Sequence, residues 1–250
     1  MANPRILIAG GCSFTQVPNN NKNWPIFLRD KLKMQAYFLG AGSAGNDLIS
    51  KRVIHRVIQC LKIQKYKPED LLVGIMWSGV DRGGYYLSNP PLNYFKIDSG
   101  GESFYNNPNS ISSELKYYIV KPGWEDELSN VYYKHFYDEI GNLIDTLEHV
   151  LRVQWFLKLH NIKYFFTNYH DLDAFSGEFF HEHLKHPEVS YLYEQIDFDN
   201  FLPVKTMGHW NLESGLKFPD KQDDHPTSEM SEGFVDRVII PHLKKKGYVT

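Results

Sequence analysis

Three short segments of the chain hold residues whose types and spacing suit chemistry. The first is Gly10-Gly11-Cys12-Ser13-Phe14-Thr15. A serine just past a buried strand, preceded by glycines that allow a sharp turn, can be presented at the start of the next helix. Backbone amides there favour developing negative charge, which suits a nucleophile. Serine also caps helices, and taken alone Ser13 reads as a cap. The second is the turn Gly40-Ala41-Gly42-Ser43-Ala44-Gly45, ending in Asn46. Glycines at a strand-to-helix turn bring backbone N–H groups close to a ligand, as an oxyanion hole or a phosphate cradle would require. The turn lacks the lysine of a P-loop, and its G-x-G-x-x-N order is a poor dinucleotide fingerprint. The third is Asp223-Asp224-His225-Pro226-Thr227, just before the last helix. A histidine held by proline at a helix mouth, with carboxylates one and two residues earlier, suits a base and its orienter. An ordinary helix N-terminus rich in Asp, Thr and Ser explains the segment equally well.

The elements that must position these turns follow from hydrophobic patterning. Arg5 to Ala9 is a short unbroken apolar run, as expected of a strand buried on both faces in a parallel sheet. Trp24 to Leu32 has helical spacing with Pro25 in the first turn. Ala36 to Leu39 is a second strand. From Asn46 a helix follows, striped by Leu48, Ile49, Val53, Ile54, Val57, Ile58 and Leu61, with Asp47 in its first turn. Leu71 to Trp77 is a third buried strand. This alternation predicts a three-layer α/β/α sandwich with a mainly parallel, doubly wound sheet. Residues 79 to 130 are rich in Gly, Pro, Asn, Ser and Tyr and read as an irregular insertion. A long helical pattern runs from Tyr132 to His160, including Phe136, Trp155 and Leu159. Ile162 to Thr167 is a fourth strand, Val189 to Ile196 a short helix, and Thr227 to Leu243 a closing helix. With no repeat or low-complexity linker, residues 1–250 are expected to form one domain.

In open α/β sheets the ligand crevice lies beyond the carboxyl ends of the strands, which is where all three turns fall. The composition is that of a globular protein, with 42% hydrophobic, 23% charged and 15% aromatic residues. A net charge of −3 supplies no basic field to recruit nucleic acid or anionic lipid. Cys12 and Cys60 are too few for a disulfide framework and are expected as reduced thiols. The short apolar run Ile6 to Ala9 lacks the flanks of a signal peptide, and no stretch approaches a membrane span. A cytoplasmic protein without a membrane partner is the expectation; the oligomeric state stays open.

Together, GCSFT, LGAGSAGNDLI and DDHPT resemble the first, second and fifth sequence blocks of the SGNH/GDSL hydrolase superfamily. The resemblance extends from about residue 5 to residue 243, with specificity confined to these blocks. It implies a flavodoxin-like fold and a serine esterase or acyl hydrolase that uses no cofactor and no metal. Ser13 would be the nucleophile, His225 its base and Asp223 the acid, with Asp220 and Asp224 as rivals. The amides of Ser13 and Gly42 would form the oxyanion hole, with Asn46 or Ser78 as further donor. The implied substrate is a small acyl ester, such as an O-acetyl group on a carbohydrate. An acyltransferase or a catalytically weakened glycan- or protein-binding domain would use the same frame. Cys12 stands where aspartate is commonest, Gln222 where the family's acid stands, and Val80 where the third block has its asparagine.

Other clusters are weaker. His181-Glu182-His183-Leu184-Lys185-His186 has Lys185 where a zincin would need histidine, and reads as a solvated loop. His209-Trp210 and Asp197 fit either a pocket wall or ordinary packing. Lys244-Lys245-Lys246 reads as a solvated helix end. Tyr85, Tyr86, Tyr94 and Tyr105 fit packing of the insertion slightly better than stacking on a sugar.

Overall fold

The computed structural model describes residues 3–17, 22–86, 117–123, 127–169, 182–204, 206–216 and 225–250. The first strand, β1 (Ile6–Gly11), is buried along its whole length. It pairs in parallel with β2 (Gln35–Phe38) on one side, Ile6 opposite Gln35. On the other side it pairs in parallel with β3 (Leu71–Trp77), from Ile6 opposite Leu71 to Gly11 opposite Met76. A fourth parallel strand, β6 (Lys163–Asn168), lies beyond β3. The order β2-β1-β3-β6 explains the unbroken apolar runs, because β1 and β3 are covered on both faces and paired on both edges. The outer edge of β6 is partly covered by a single parallel bridge from Phe166 to Phe201.

Helices cover both faces. On one side α1 (Trp24–Leu32) packs against α7 (Ser228–Phe234) and the turns that continue it, and α6 (Met207–Glu213) packs against α7. On the other, α2 (Asn46–Lys62) packs on β1 and on α4 (Glu139–Leu159), which in turn contacts α5 (Pro187–Tyr193). The expected three-layer α/β/α architecture is the one observed, and α1 and β3 have the bounds expected from their patterns. Strand order reverses direction at β1, since α1 leads from it to β2 and α2 leads back past it to β3. The crevice between the carboxyl ends of β1 and β3 is therefore the switch point at which such sheets bind ligands.

The irregular insertion has an ordered stem. Strands β4 (Gly83–Tyr86) and β5 (Tyr117–Val120) pair antiparallel, and helix α3 (Glu127–His135) follows. The single helix expected from Tyr132 to His160 is two, because Asp138 caps a new start. Its side chain accepts from the Gly141 amide at 2.7 Å. Three residues assigned to its apolar stripe face out: Phe136, Trp155 and Leu159 are 70%, 54% and 77% exposed. The closing helix is also interrupted. Residues Val235–Ile239 form a π-helical turn between α7 and α8 (Ile240–Lys245). Pro241 has no amide to give to an i−4 carbonyl, and the Ile240 amide bonds Val235 O instead. Cys12 and Cys60 are free and buried, and burial pushes the Cys60 thiol up to about 11. Among the described residues, no helix is long and apolar enough to cross a membrane.

Candidate active site

The chain leaves β1 in a tight turn rather than a helix. The amides of Thr15 and Gln16 both donate to Cys12 O at 3.0 Å, and the Gln16 amide also reaches Ser13 O at 3.2 Å. Thr15 is fully buried and accepts from Trp24 Nε1 at 3.2 Å, which ties the turn to the start of α1. Cys12 and Phe14 turn inward, leaving Ser13 half-buried between them. Gly11 has to be glycine, since a Cβ there would lie 2.1 Å from Thr15 Oγ1 and 2.9 Å from Met76 O. The expected placement of Ser13 at the start of a helix is corrected here. Helix α1 begins only at Trp24, so neither a helix dipole nor a helix-capping role applies to Ser13. The Ser13 amide has no acceptor among the described residues, as an oxyanion donor requires.

The glycine turn after β2 is pressed against this Ser13 turn. The Leu39 amide donates to Ala9 O at 2.8 Å and the Ala41 amide to Gly11 O at 3.1 Å, prolonging the parallel pairing. A Cβ on Gly40 would stand 2.3 Å from Gln16 N and 2.5 Å from Thr15 C, both backbone atoms. Gly42 sits across from Gln16, and its amide is also without an acceptor among the described residues. Ser43, in the left-handed region at φ 59°, turns the chain towards α2.

Asn46 and Ser78 meet, but not as donors waiting for substrate. Asn46 Nδ2 donates to Ser78 O at 2.9 Å and to Thr146 Oγ1 at 3.3 Å, and Asn46 Oδ1 accepts from the Ser78 amide at 2.8 Å. Both Asn46 and Ser78 are buried. The oxyanion role expected of Asn46 is therefore corrected: both its amide protons are used to lock the start of α2 onto the end of β3. The Ser78 amide is spent on the same lock, and Ser78 Oγ accepts from Arg82 Nη1 at 3.2 Å. Val80 is buried, and its carbonyl takes Asn142 Nδ2 at 3.2 Å.

His225 stands exposed before Pro226 and Thr227. Thr227 is the cap of α7, accepting from the Met230 amide at 3.1 Å. The imidazole lies on Phe14, with ring centroids 4.6 Å apart and planes tilted by 33°. The other partner of Phe14 is Tyr169, stacked at 3.6 Å and 6° just beyond β6. The ends of β1 and β6 and the approach to α7 thus converge beside Ser13. Phe14 and Tyr169 went unrecognised in the sequence, although an aromatic directly after the candidate nucleophile was visible there. Asp220, Asp223 and Asp224 lie outside the described residues, as do His181 and the side chains of Tyr86, Tyr94 and Tyr105.

The secondary clusters resolve into packing. Trp210 sets its ring edge-on to Phe234 at 5.5 Å, joining α6 to α7. Tyr85 meets Tyr132 at 6.0 Å. His183 Nε2 lies 3.7 Å from Glu139 Oε2. Asp197 accepts from Lys158 Nζ at 2.5 Å and from Asn200 Nδ2 at 3.0 Å. Those donors hold its carboxyl below the ordinary value against the opposing effect of burial, the largest single influence. Among the described residues, no group of three or more His, Cys, Asp or Glu side chains is placed to hold a metal ion.

The fold and this convergence define an α/β protein in which the Ser13 turn and the His225 ring meet at the end of β1. The chain belongs to a family of unknown function, DUF6071, whose model matches residues 16–249. That span includes the glycine turn and His225 and starts three residues after Ser13. No curated protein matches the sequence. Among solved structures it is similar to the X-ray crystal structure of protein YXIM from Bacillus subtilis, at 13% identity and a TM-score of 0.49. That match covers 98% of this chain, which spans 57% of the Bacillus protein.

Proposed function

We propose that the chain is a serine-dependent acyl-ester hydrolase of SGNH type, acting on small acyl esters such as O-acetyl groups on a carbohydrate. The observation that carries this reading is the seating of the His225 ring on Phe14, the residue next to Ser13, at the switch point of the sheet. In this mechanism His225 takes the Ser13 hydroxyl proton as Oγ attacks the ester carbonyl. An aspartate just upstream, Asp223 with Asp220 and Asp224 as rivals, holds the imidazole tautomer and stabilises its positive charge. The amides of Ser13 and Gly42, without acceptors among the described residues, receive the oxyanion. The proton then passes from His225 to the leaving alcohol, and water cleaves the acyl-serine. A sugar hydroxyl in place of water would make the same site a transferase.

A fluorophosphonate probe tests this, because it traps a serine only where a base and an oxyanion hole activate it. Wild type is expected to label, and both Ser13→Ala and His225→Ala to lose the label. Absence of labelling in folded wild type would overturn the reading. It would favour a glycan- or protein-binding domain on the same frame. The observation behind that second reading is the consumption of the Asn46 amide together with Val80 in the place of the third-block asparagine. One missing oxyanion donor costs about 10²–10³ in rate.

A further inference from the structure

A general base works only while its ring stands within hydrogen-bond reach of the proton it takes. An exposed histidine therefore needs a surface that selects one of its rotamers. His225 is exposed, ahead of Pro226, which holds its backbone extended and leaves both side-chain torsions to be set by contacts. One such contact is the ring of Phe14, the neighbour of Ser13, at 4.6 Å between centroids. A ring can select a rotamer only if it is itself fixed.

Tyr169 fixes it. The two rings lie 3.6 Å apart and within 6° of parallel, so that Tyr169 takes one face of Phe14 whole, and both side chains are buried. Phe14 then has no room to turn about its outer torsion, and the imidazole is confined to the rest of its surface. Tyr169 is in turn held through its backbone. It follows β6 directly, its carbonyl accepts from the Gly208 amide at 2.9 Å, and a Cβ on Gly208 would stand 2.6 Å from that oxygen. Gly208 lies in the first turn of α6, behind the Thr206 cap. The same helix sets Trp210 against Phe234 of α7, the helix that starts three residues after His225. Tyr169 and His225 are thus both tied to the α6–α7 pair, and Phe14, which touches both rings, ties the Ser13 turn to them.

We infer that Tyr169 is a positioning residue: acting through Phe14, it sets where the His225 ring stands relative to the Ser13 hydroxyl. The inference rests on the hydrolase reading above and adds that the base is aimed by an aromatic stack as well as by a carboxylate. Packing alone would be served by any apolar side chain of similar volume at position 169. Aiming the imidazole requires a flat ring there.

Two measurements on the full chain test this, one of them without turnover. In the NMR spectrum the carbon-bound imidazole protons of His225, assigned by their loss in His225→Ala, lie in the ring current of Phe14. They are expected upfield of free-histidine positions in wild type, to stay there in Tyr169→Phe, and to move back in Tyr169→Leu. In hydrolysis of p-nitrophenyl acetate, Tyr169→Leu is expected to lower kcat about 10–100-fold with KM within about twofold of wild type, because a displaced base loses rate rather than affinity. Tyr169→Phe keeps the ring and is expected to restore kcat. Gly208→Ala pushes on the Tyr169 carbonyl and leaves the ring intact. It is expected to lower kcat about tenfold, and it serves as the test if Tyr169→Leu does not fold.

Unchanged kcat in the folded variants, or a rise in KM alone, overturns the inference, while labelling of wild type by the fluorophosphonate keeps the hydrolase reading standing. Imidazole protons that do not move in Tyr169→Leu overturn it as well. So does a Tyr169→Phe as slow as Tyr169→Leu, which would assign the effect to the hydroxyl. A wild type that shows the upfield protons yet neither labels nor turns over loses the hydrolase reading, and the stack is then packing alone.

Discussion

The ends of β1 and β3 lie side by side in the sheet and are finished in opposite ways. After β1 the chain leaves groups uncommitted: Ser13 is half-buried, its amide has no acceptor among the described residues, and the His225 ring rests on its neighbour Phe14. After β3 the polar groups are committed to one another: Ser78, Asn46 and Thr146 are buried and joined by three hydrogen bonds that leave no proton of the Asn46 amide over. A hydrogen-bond donor at a strand end can serve a ligand only while the fold does not need it. By that test the first strand end keeps a donor that a ligand could use and the second is a lock.

Paired substitutions at the two ends should separate activity from stability. Ser13→Ala is expected to lower hydrolysis of p-nitrophenyl acetate by about 10⁴–10⁶-fold. It should change stability by less than about 0.5 kcal/mol, since the Ser13 side chain makes no hydrogen bond among the described residues. Asn46→Ala should do the reverse. It orphans the buried amide and carbonyl of Ser78, at a cost of about 2–4 kcal/mol. For a chain of this size that corresponds to a fall of roughly 5–15 °C in thermal midpoint. Residual activity per folded molecule should stay within about tenfold of wild type. A collapse of turnover in folded Asn46→Ala would return that amide to the oxyanion hole and erase the contrast between the two ends.

Gly40→Ala probes the coupling between the turns. The added Cβ meets the backbone at Gln16 N and Thr15 C, which cannot step aside as a side-chain tip could. A loss of about 1–3 kcal/mol in stability follows from the overpacking. Displacing the Ser13 turn by a fraction of an ångström should lower kcat by about 10–100-fold and leave KM less affected. If kcat and probe labelling stay at wild-type values while stability falls, the glycine turn supports the fold alone and takes no part in positioning Ser13.

The legible parts of this molecule are those governed by local pattern. Helix α1 and strand β3 were readable to the residue, because each is an apolar run or stripe bounded by Pro, Gly or charge. The layered fold follows from their alternation. The sequence also marks Ser13 and His225 as candidates, although not the placement of the His225 ring on Phe14 beside Ser13, which depends on three segments far apart in sequence. The break before Asp138 was hidden by an apolar spacing that continues through Phe136. The π turn was hidden because the closing helix was read as unbroken from Thr227 to Leu243, without weighing the break that Pro241 imposes. The Asn46 lock left no trace at all: its partners, Ser78 and Thr146, have no periodic relation to it and become neighbours only once the sheet is built.

The end of β3 also has a histidine beside it, His149. His149 lies one turn beyond Thr146 on α4, facing a cavity it shares with Asp47 and Lys51. Burial first, and then the positive charges of Arg152 and Lys51, push its pKa down from 6.5 to about 3. In the folded protein the imidazole therefore stays neutral through mild acid, whereas in the unfolded chain it takes up a proton below pH 6.5. The unfolded state binds more protons between pH 6.5 and about 3, so this group's contribution is complete above pH 6.5 and is lost as the pH falls through that window. The steepest loss is about 1.4 kcal/mol per pH unit. Asp47 opposes it, because burial raises its folded pKa and an acid that protonates more readily when folded gains stability as the pH drops. Replacing His149 by Gln removes the first effect and leaves the second. Urea midpoints measured across the window should fall with acidity in wild type and fall less, or rise, in His149→Gln. Parallel profiles for the two proteins would mean that His149 is solvated and that the end of β3 is more open than its hydrogen bonds indicate.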